Sequence, residues 1–259
     1  MKKIVNKSDF ILYHQFLNGL GKERFYFDDE IKKLPEYIQD IIKSDNAILP
    51  SHLPTEMIKE FLIESLKKLN PDYIVDKFSE PVINSIALYT SKDPEFITDK
   101  SLSFNKGILI MGEVGCGKTL LFRGLNEVMK MFSYKDYYST THNDFSKPII
   151  NSYSLTQGFA LKGFEIFDNG LYDNGRTVNF IDTPLVIDDL GAESPVSHYG
   201  PTTNVIGEII LRRYEKKYRT FATTNEDDRG LLAKYGDRVY SRMIEMFNFI
   251  EYKGSDRRK

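Results

Sequence analysis

The chain has 259 residues, of which 41% are hydrophobic and 28% charged, and its formal net charge is −2. A chain of this length buries one sizeable core, or one core with a small appendage. No stretch approaches the roughly 20 consecutive apolar residues that cross a bilayer, so we do not expect a membrane protein. Because the charge is nearly balanced, any nucleic-acid contact has to use a local basic patch. The plainest patch is the tail at residues 256–259, and such tails are usually solvated chain ends.

The N-terminus and the cysteine usage indicate the compartment. Residues 1–10 include lysines but no apolar segment, so a secretory signal is not expected. Cys116 is the single cysteine, which rules out an intrachain disulfide and suits a reducing cytosol. We therefore expect a cytoplasmic protein.

Residues 1–75 predict a small N-terminal helical region. Its clearest helix has Thr55 as a possible N-cap, residues 70–71 as its stop, and an i, i+3, i+4 apolar stripe. This stripe consists of Ile58, Phe61, Leu62, Leu66 and Leu69. Residues 10–20 and 31–42 show weaker helical patterns. The region either closes on itself as a small domain or presents a surface to a partner, and the sequence leaves both open.

Residues 76–259 predict one α/β domain, because short apolar strands alternate there with helical segments. The predicted strands are 107–111, 148–154, 184–188, 219–223 and 247–252. The predicted helices are 79–89, 118–132, 155–168, 202–217, 227–235 and 237–246. The Asn-Gly pair within 172–177 indicates a hairpin or loop insertion. We expect a five-stranded parallel sheet flanked by helices.

The segment GEVGCGKT at 112–119 stands between a predicted strand and a predicted helix, and it matches the phosphate-binding pattern G-x-x-x-x-G-K-[ST]. Its glycines let backbone N–H groups turn towards phosphates, with the positive end of the helix dipole behind them. Lys118 is expected to reach the β and γ phosphates, and the Thr119 hydroxyl to ligate Mg²⁺. The expected contacts of ATP or ADP are Gly112, Glu113, Val114, Gly115, Cys116, Gly117, Lys118, Thr119 and Leu120. The plain alternative is a glycine turn without a ligand.

Cys116 also suggests a hypothesis about reactivity. A thiol near a helix N-terminus can have a lowered pKa, and bound nucleotide would then slow its alkylation.

The apolar strand 184–188 ends in two acids, which the sheet delivers to its carboxyl edge. Asp188 is expected to hold Mg²⁺, commonly through water, and Asp189 to orient or deprotonate the attacking water. Asn225, which follows the next strand, can bond the γ-phosphate or that water. Alternatively, the acids and the Asn are ordinary turn residues.

Arg238 and Arg242 lie four residues apart and so share one face of a helix. Two guanidiniums in this position can reach a phosphate bound by a neighbouring subunit. The alternative is a pair of surface salt bridges.

In this order, the segments GEVGCGKT, PLVIDDLGAE, FATTN and YGDRVYSRM resemble the AAA+ ATPases, and within them the DnaC/IstB-like group of helicase loaders and transposition helpers. The resemblance covers roughly residues 80–252 and is specific at four motifs. It implies a P-loop NTPase (AAA+) fold with Lys118 and Thr119 as Walker A residues. Asp188 and Asp189 become the Walker B pair.

The same resemblance implies that Asn225 is sensor 1 and Arg242 the arginine finger, with Arg238 as an accessory. Two departures from the family pattern matter. Many AAA+ proteins have Asp-Glu where this chain has Asp-Asp, which implies slow turnover. The predicted elements also leave little or no C-terminal lid, as in loader-like members.

The resemblance further implies a replicative helicase loader that assembles with ATP on single-stranded DNA, holding the helicase through residues 1–75. A transposase helper on duplex DNA is the near rival. A nucleotide-gated scaffold without significant hydrolysis and a small-molecule phosphotransferase are alternatives of other classes. A phosphotransferase would normally add an acceptor pocket and lid arginines.

Overall fold

The computed structural model describes residues 53–132, 149–173, 176–181 and 185–257. The weak helical patterns at 10–20 and 31–42 lie outside the described residues, as does the very end of the basic tail, 258–259. In the described part, no helix is long and apolar enough to cross a membrane.

The elements alternate along the chain much as the sequence predicts. The helices are α1 Thr55–Leu69, α2 Ser79–Ser91, α3 Lys118–Phe132, α4 Ser152–Lys162, α5 Glu165–Asn169, α6 Val205–Glu215 and α7 Asp228–Met246, with a short 3₁₀ helix at Pro94–Thr98. The strands are β1 Gly107–Gly112, β2 Ile149–Asn151, β3 Leu171–Asp173, β4 Arg176–Val178, β5 Leu185–Leu190, β6 Thr220–Thr224 and β7 Phe247–Tyr252.

Five strands form one parallel sheet in the order β2-β5-β6-β1-β7. In the register, Ile110 of β1 pairs with Thr223 of β6 on one side and with Ile250 of β7 on the other. Since all five strands run the same way, the residues that follow β1, β5 and β6 meet at one edge. The predicted α/β class, with a five-stranded parallel sheet between helices, is confirmed.

Helices cover both faces of the sheet and divide the core in two. Along β1, Ile108 and Ile110 pack into the cluster that contains α1, α2 and α3, whereas Leu109 packs into the cluster that contains α4, α6 and α7. Burial on both faces explains the near-continuous apolar runs of β1 and of the first half of β5.

Helix α1 packs on α3, although it precedes the boundary predicted at 75/76. A Cβ atom at Gly124 of α3 would lie 2.9 Å from Leu66 Cδ2, so the two helices approach closely at this glycine. Leu62 and Leu66 are fully buried in the same cluster as β1. The division into 1–75 and 76–259 stays a prediction.

Some element boundaries differ from the predictions for local reasons. Thr55 is not an N-cap: Pro54 occupies that position, and the Thr55 hydroxyl donates instead to Asp93 Oδ2 at 2.7 Å. The predicted strand 148–154 is shorter, because Asn151 caps α4 by accepting from the backbone of Tyr153.

Two glycines account for two further differences among the helices. The predicted helix 155–168 is split into α4 and α5 at Gly163, whose φ is 61°. The predicted helices 227–235 and 237–246 form the single helix α7, which has a kink at Gly236, whose φ is 75°. The hairpin expected within 172–177 is present as the antiparallel pair β3 and β4.

Candidate nucleotide-binding site

The glycine loop connects the end of β1 to the start of α3, as the sequence predicts. Gly115 and Gly117 have φ values of +81° and +108°, which other residues rarely adopt. Lys118 is the first residue of α3, so the loop leads from β1, an interior strand of the sheet, into a helix N-terminus. This strand, loop and helix have the arrangement that binds phosphates.

Lys118 is held inside the loop by neutral acceptors. Its Nζ donates to the carbonyl oxygens of Gly112 and Glu113 at 2.7 and 2.8 Å, and to Asn225 Oδ1 at 2.7 Å. The side chain is 5% exposed. Burial lowers the pKa of Lys118, against the nearby charges of Asp188 and Asp189, which raise it. The Lys118 amine is therefore partly desolvated and lies next to open space.

Asp188 lies at the tip of β5, opposite Thr119. The Thr119 hydroxyl donates to Asp188 Oδ1 at 2.7 Å, and the Thr223 hydroxyl of β6 donates to the same oxygen at 2.7 Å. The carboxyl group is nearly buried, with 9% of the residue exposed. Three elements, α3, β5 and β6, thus fix the position of one carboxylate oxygen.

Asp189 follows in an unusual backbone conformation. Its φ is +53°, and the register between β5 and β6 shifts between Ile187 and Leu190. Such an irregularity redirects a side chain relative to a regular strand. The Ser152 hydroxyl donates to the Asp189 carbonyl at 2.7 Å, and Asn151 Nδ2 donates to Asp189 Oδ2 at 3.3 Å.

These groups line a cleft of about 520 Å³. Its walls are Asn70, Tyr73, Val114, Gly115, Gly117, Lys118, Thr119, Leu120, Arg123, Asp188, Asp189, Asn225 and Arg257. The predicted phosphate, magnesium and sensor residues therefore share one cavity. Gly112 and Glu113 contribute through the carbonyl groups that hold Lys118, and Cys116 is buried.

The hypothesis of a lowered Cys116 pKa is wrong. Burial raises the pKa of this thiol, and the nearby charge of Lys118 only partly opposes that effect. Because the thiol is buried and stays protonated, the helix N-terminus does not make it a reactive nucleophile.

Four cleft residues were not predicted: Asn70, Tyr73, Arg123 and Arg257. Asn70 and Tyr73 come from the segment between α1 and α2. Arg257 belongs to the tail that was expected to be a solvated end, and it instead folds back onto Asp76 with Nη2 2.6 Å from Oδ2. Contacts between residues 181 positions apart leave no local pattern in a sequence.

Arg238 and Arg242 do not line the cleft of their own chain. Both lie in α7 after the kink. Arg242 Nη1 donates to Glu245 Oε1 at 2.8 Å, and its Cζ lies 4.7 Å from the centre of the Tyr214 ring. The Arg242 side chain is 40% exposed, so this ion pair is on the surface.

The residues present suit a magnesium ion. Thr119 and Asp188 offer a hydroxyl and a carboxylate oxygen, the hard ligands that Mg²⁺ prefers, and this ion takes the rest of its shell from water and phosphate. Among the described residues, no group of three or more His, Cys, Asp or Glu side chains could hold a metal by itself. A site completed by a nucleotide is consistent with both facts.

A parallel sheet in which an interior strand leads into a glycine loop, with an acidic strand tip at the same edge of the sheet, defines the P-loop nucleotide-binding fold. No protein-family model matches the sequence, and no curated protein does.

The chain has partial similarity to several solved structures. A DnaC helicase loader has 20% identity and a TM-score of 0.44, with 71% of this chain and 96% of that chain covered. A putative primosome component from Streptococcus pyogenes serotype M3 has 18% identity and a TM-score of 0.42, covering 72% and 85%. AMPPCP-bound DnaA from Aquifex aeolicus has 17% identity and a TM-score of 0.42, covering 70% of this chain and 49% of that one. Similarity at this level carries no information about activity or partners.

Proposed function

We propose that the protein is a magnesium-dependent ATPase of the AAA+ type that acts as a replicative helicase loader. One observation above all supports the nucleotide part of the proposal. Lys118 and Thr119 of the glycine loop meet Asn225 and Asp188, from two other strand ends, in a single cleft. A glycine turn without a ligand gives no reason for these four polar groups to converge on open space.

The contacts of Lys118 support nucleotide binding. Its ammonium would exchange two neutral carbonyl acceptors for β and γ phosphate oxygens, which are anionic and therefore bind it more strongly. Thr119 and Asp188 would hold Mg²⁺, which neutralises charge on the phosphates when it is bound.

Hydrolysis would use Asp189 and Asn225. As a water oxygen attacks the γ phosphorus, Asp189 accepts the proton, the bond to the ADP oxygen breaks, and ADP and phosphate leave. Asn225 accepts a hydrogen bond from Lys118 through Oδ1, which leaves its Nδ2 group to donate to a phosphate oxygen or to the water.

Arg242 would complete the site of a neighbouring subunit. Within one chain, its guanidinium pairs with Glu245 outside the cleft. A positive charge delivered by a second subunit stabilises the charge that develops during phosphoryl transfer. Hydrolysis would therefore be weak in isolated subunits and rise with assembly. Arg238, exposed on the same helix, would assist.

The loader role is supported by the order of the four sequence motifs. On this proposal the protein is cytoplasmic, assembles with ATP on single-stranded DNA, and holds a replicative helicase through residues 1–75. The same motifs suit a transposase helper on duplex DNA. The Asp188-Asp189 pair, in place of Asp-Glu, favours a third role, a nucleotide-gated scaffold with little hydrolysis.

Subunit mixing tests the composite site. Lys118→Ala keeps the finger but loses nucleotide, and Arg242→Ala binds nucleotide but lacks the finger. Each variant alone should release little phosphate from ATP, whereas a mixture should recover part of the wild-type rate, because an Arg242→Ala site then faces an intact finger. Arg229→Ala, an exposed arginine at the start of α7, is the matched control and should retain full activity.

The outcomes separate the candidate functions. Full activity of Arg242→Ala alone would contradict a finger supplied by a neighbour. If the wild type binds nucleotide but does not hydrolyse ATP at any protein concentration, only the scaffold function remains. No affinity for ATP or ADP at millimolar magnesium would reject all three.

DNA and partner preferences distinguish loader from helper. A loader should bind single-stranded DNA better than duplex, with an affinity that falls as salt rises, and a helper should show the reverse preference. The full chain should retain a replicative helicase in a pull-down with purified components, and a chain lacking residues 1–52 should not. Retention of a transposase instead would favour the helper.

A further inference from the structure

The residues after β7 turn back across the glycine loop. We call residues 253–257 the C-terminal strap. The backbone N–H of Arg257 donates to the Gly115 carbonyl at 3.1 Å. A Cβ atom at Gly115 would collide with the carboxylate of Asp256, so the strap lies directly against the loop.

The Arg257 side chain is fixed in the wall of the cleft. Its Nη1 donates to the Ile74 carbonyl at 3.0 Å, and its Nη2 to Asp76 Oδ2 at 2.6 Å. Two aromatic rings flank it, with Cζ 5.4 Å from the centre of Tyr73 and 5.7 Å from that of Tyr252. The side chain is 23% exposed and lines the cleft. These two contacts use only two of the five N–H donors of a guanidinium.

The neighbouring Tyr73 and Tyr252 place two more hydroxyl groups close to Arg257. Tyr73 is 5% exposed and lines the cleft, and Tyr252 is fully buried beneath the loop. Neither hydroxyl has a hydrogen-bond partner in the described part of the chain. Buried polar groups without partners are rare, and the Tyr73 hydroxyl, which belongs to the wall of the cleft, points to a ligand there.

We propose that Arg257 binds the nucleotide held in the same subunit and that the C-terminal strap closes over it. The inference rests on the proposed nucleotide binding and deepens it. Arg257 lies beside Gly115, in the part of the loop whose N–H groups cradle the α and β phosphates, whereas Lys118 reaches the β and γ phosphates. Arg257 therefore faces groups that ATP and ADP share. Asp76 and Tyr73 position it.

Nucleotide affinity tests the contact. In Arg257→Ala, the dissociation constants for ATP and ADP, measured by calorimetry, should both rise about tenfold, as expected for one charge-assisted hydrogen bond at a partly exposed site. The dissociation constants of Arg257→Lys should lie between those of the wild type and Arg257→Ala, because an ammonium keeps the positive charge but lacks the paired N–H donors of a guanidinium. Lys253→Ala is the matched control, since this exposed strap residue pairs with Glu251 and does not line the cleft.

Proteolysis tests the closure independently of affinity. Saturating ADP should slow tryptic cleavage after Lys253 in the wild-type protein and have little effect in Arg257→Ala. Unfolding midpoints of both proteins show whether the variant is folded. Wild-type affinity in Arg257→Ala, a loss confined to ATP, or cleavage unaffected by ADP in the wild type would each overturn the proposal.

The two proposals fail separately. If the wild type hydrolyses ATP and Arg257→Ala binds nucleotide normally, the strap contact is rejected and the ATPase stands. If the wild type binds ADP through Arg257 but never hydrolyses ATP, the ATPase is rejected and the strap contact stands.

Discussion

The hydroxyl of Thr119 and the carboxylate of Asp188 meet at 2.7 Å across 69 residues of sequence. The same Asp188 oxygen also accepts from Thr223, so two hydroxyl groups fix its position at the cleft. Asp189, the next residue, has a left-handed backbone; it also lines the cleft, and its Oδ2 accepts from Asn151. Two adjacent acids thus have different surroundings, and we expect them to have different roles.

Asp189→Asn should separate binding from turnover. Asn tolerates a left-handed φ, so the substitution removes the base and leaves the backbone unstrained. We expect wild-type affinity for ATP and a turnover about a hundredfold lower, the usual loss for a general base. Steady-state phosphate release and equilibrium binding measure the two quantities. Normal turnover would remove Asp189 from the catalytic assignment, and Asp188→Asn serves as the comparison that should lose magnesium-dependent affinity.

Arg213 should be essential for stability rather than for chemistry. Its side chain is fully buried, and it donates to Thr220 Oγ1 at 2.7 Å and to the carbonyl oxygens of Phe180 and Arg219 at 2.5 and 2.9 Å. Arg213→Ala leaves these acceptors unsatisfied beside a cavity, so we expect a loss of about 3 kcal/mol or more in the free energy of unfolding. Urea denaturation measures it.

Arg212→Ala is the control for that experiment. Arg212 is the preceding residue, but its side chain is 39% exposed and pairs with Glu208 on the helix surface. Exposed pairs of this kind contribute less than about 1 kcal/mol. Equal losses in the two variants would show that burial of Arg213 is not what matters.

The buried pair of Tyr235 and Glu193 predicts a loss of stability in alkali. The Tyr235 hydroxyl donates to Glu193 Oε1 at 2.5 Å, and burial, together with the Glu193 charge, raises the pKa of Tyr235 above its ordinary value of 10.0. In the folded protein the phenol keeps its proton where the unfolded chain loses it. The contribution of Tyr235 to the free energy of unfolding is therefore fully present below pH 10. It declines as the pH rises further, by at most about 1.4 kcal/mol per pH unit.

Tyr235→Phe isolates that effect. At pH 8 the variant should be less stable by roughly 1 to 2 kcal/mol, because Glu193 loses a hydrogen bond. Between pH 10 and 11 its stability should fall less steeply than that of the wild type. The stability of the variant should still fall with rising pH, because burial also raises the pKa of Tyr252. Parallel curves of unfolding free energy against pH would contradict the assignment.

The extent to which the sequence predicts this molecule depends on how local each signal is. The predicted strands 107–111, 219–223 and 247–252 are rich in apolar, aromatic or β-branched residues, and their ends agree with the structure to within one residue. Lys118 and Asp188 were identifiable because each belongs to a short motif attached to such a strand. Parallel pairing then necessarily brings the two strand ends to one edge.

What the sequence could not predict depends on contacts between distant segments. Arg257 reaches Asp76 across 181 residues, and nothing in the tail distinguishes it from an ordinary solvated end. The Thr55 prediction failed for a related reason. Thr is a preferred N-cap residue, so the sequence favours it in that role. In the folded chain, however, the Thr55 hydroxyl donates to Asp93.

Asp76 combines a local contact with a long-range one, since it accepts from backbone N–H groups at the start of α2 and pairs with Arg257. Its Oδ1 accepts from the backbone N–H groups of Phe78 and Ser79 at 3.0 and 2.8 Å, and its Oδ2 from Arg257. Burial opposes ionisation, but the hydrogen bonds from Ser79 and Phe78 and the charge of Arg257 outweigh it and lower the pKa of Asp76 below 3.8. A lowered pKa gives stability that is present above pH 3.8 and lost as the pH falls through the folded value.

Asp76→Asn and Asp76→Ala should therefore differ in size and in pH dependence. Asn keeps an acceptor for the helix end and loses only the ion pair, which is partly exposed, so at pH 7 we expect a loss below about 1 kcal/mol. Ala also removes the cap and should cost roughly 1 kcal/mol more. The difference between wild type and Asp76→Asn should shrink towards zero as the pH falls below the ordinary carboxyl range, because both side chains are then neutral. Thermal unfolding from pH 7 to pH 3 measures both variants, and a difference that stays constant over this range would show that the charge of Asp76 contributes nothing to the fold.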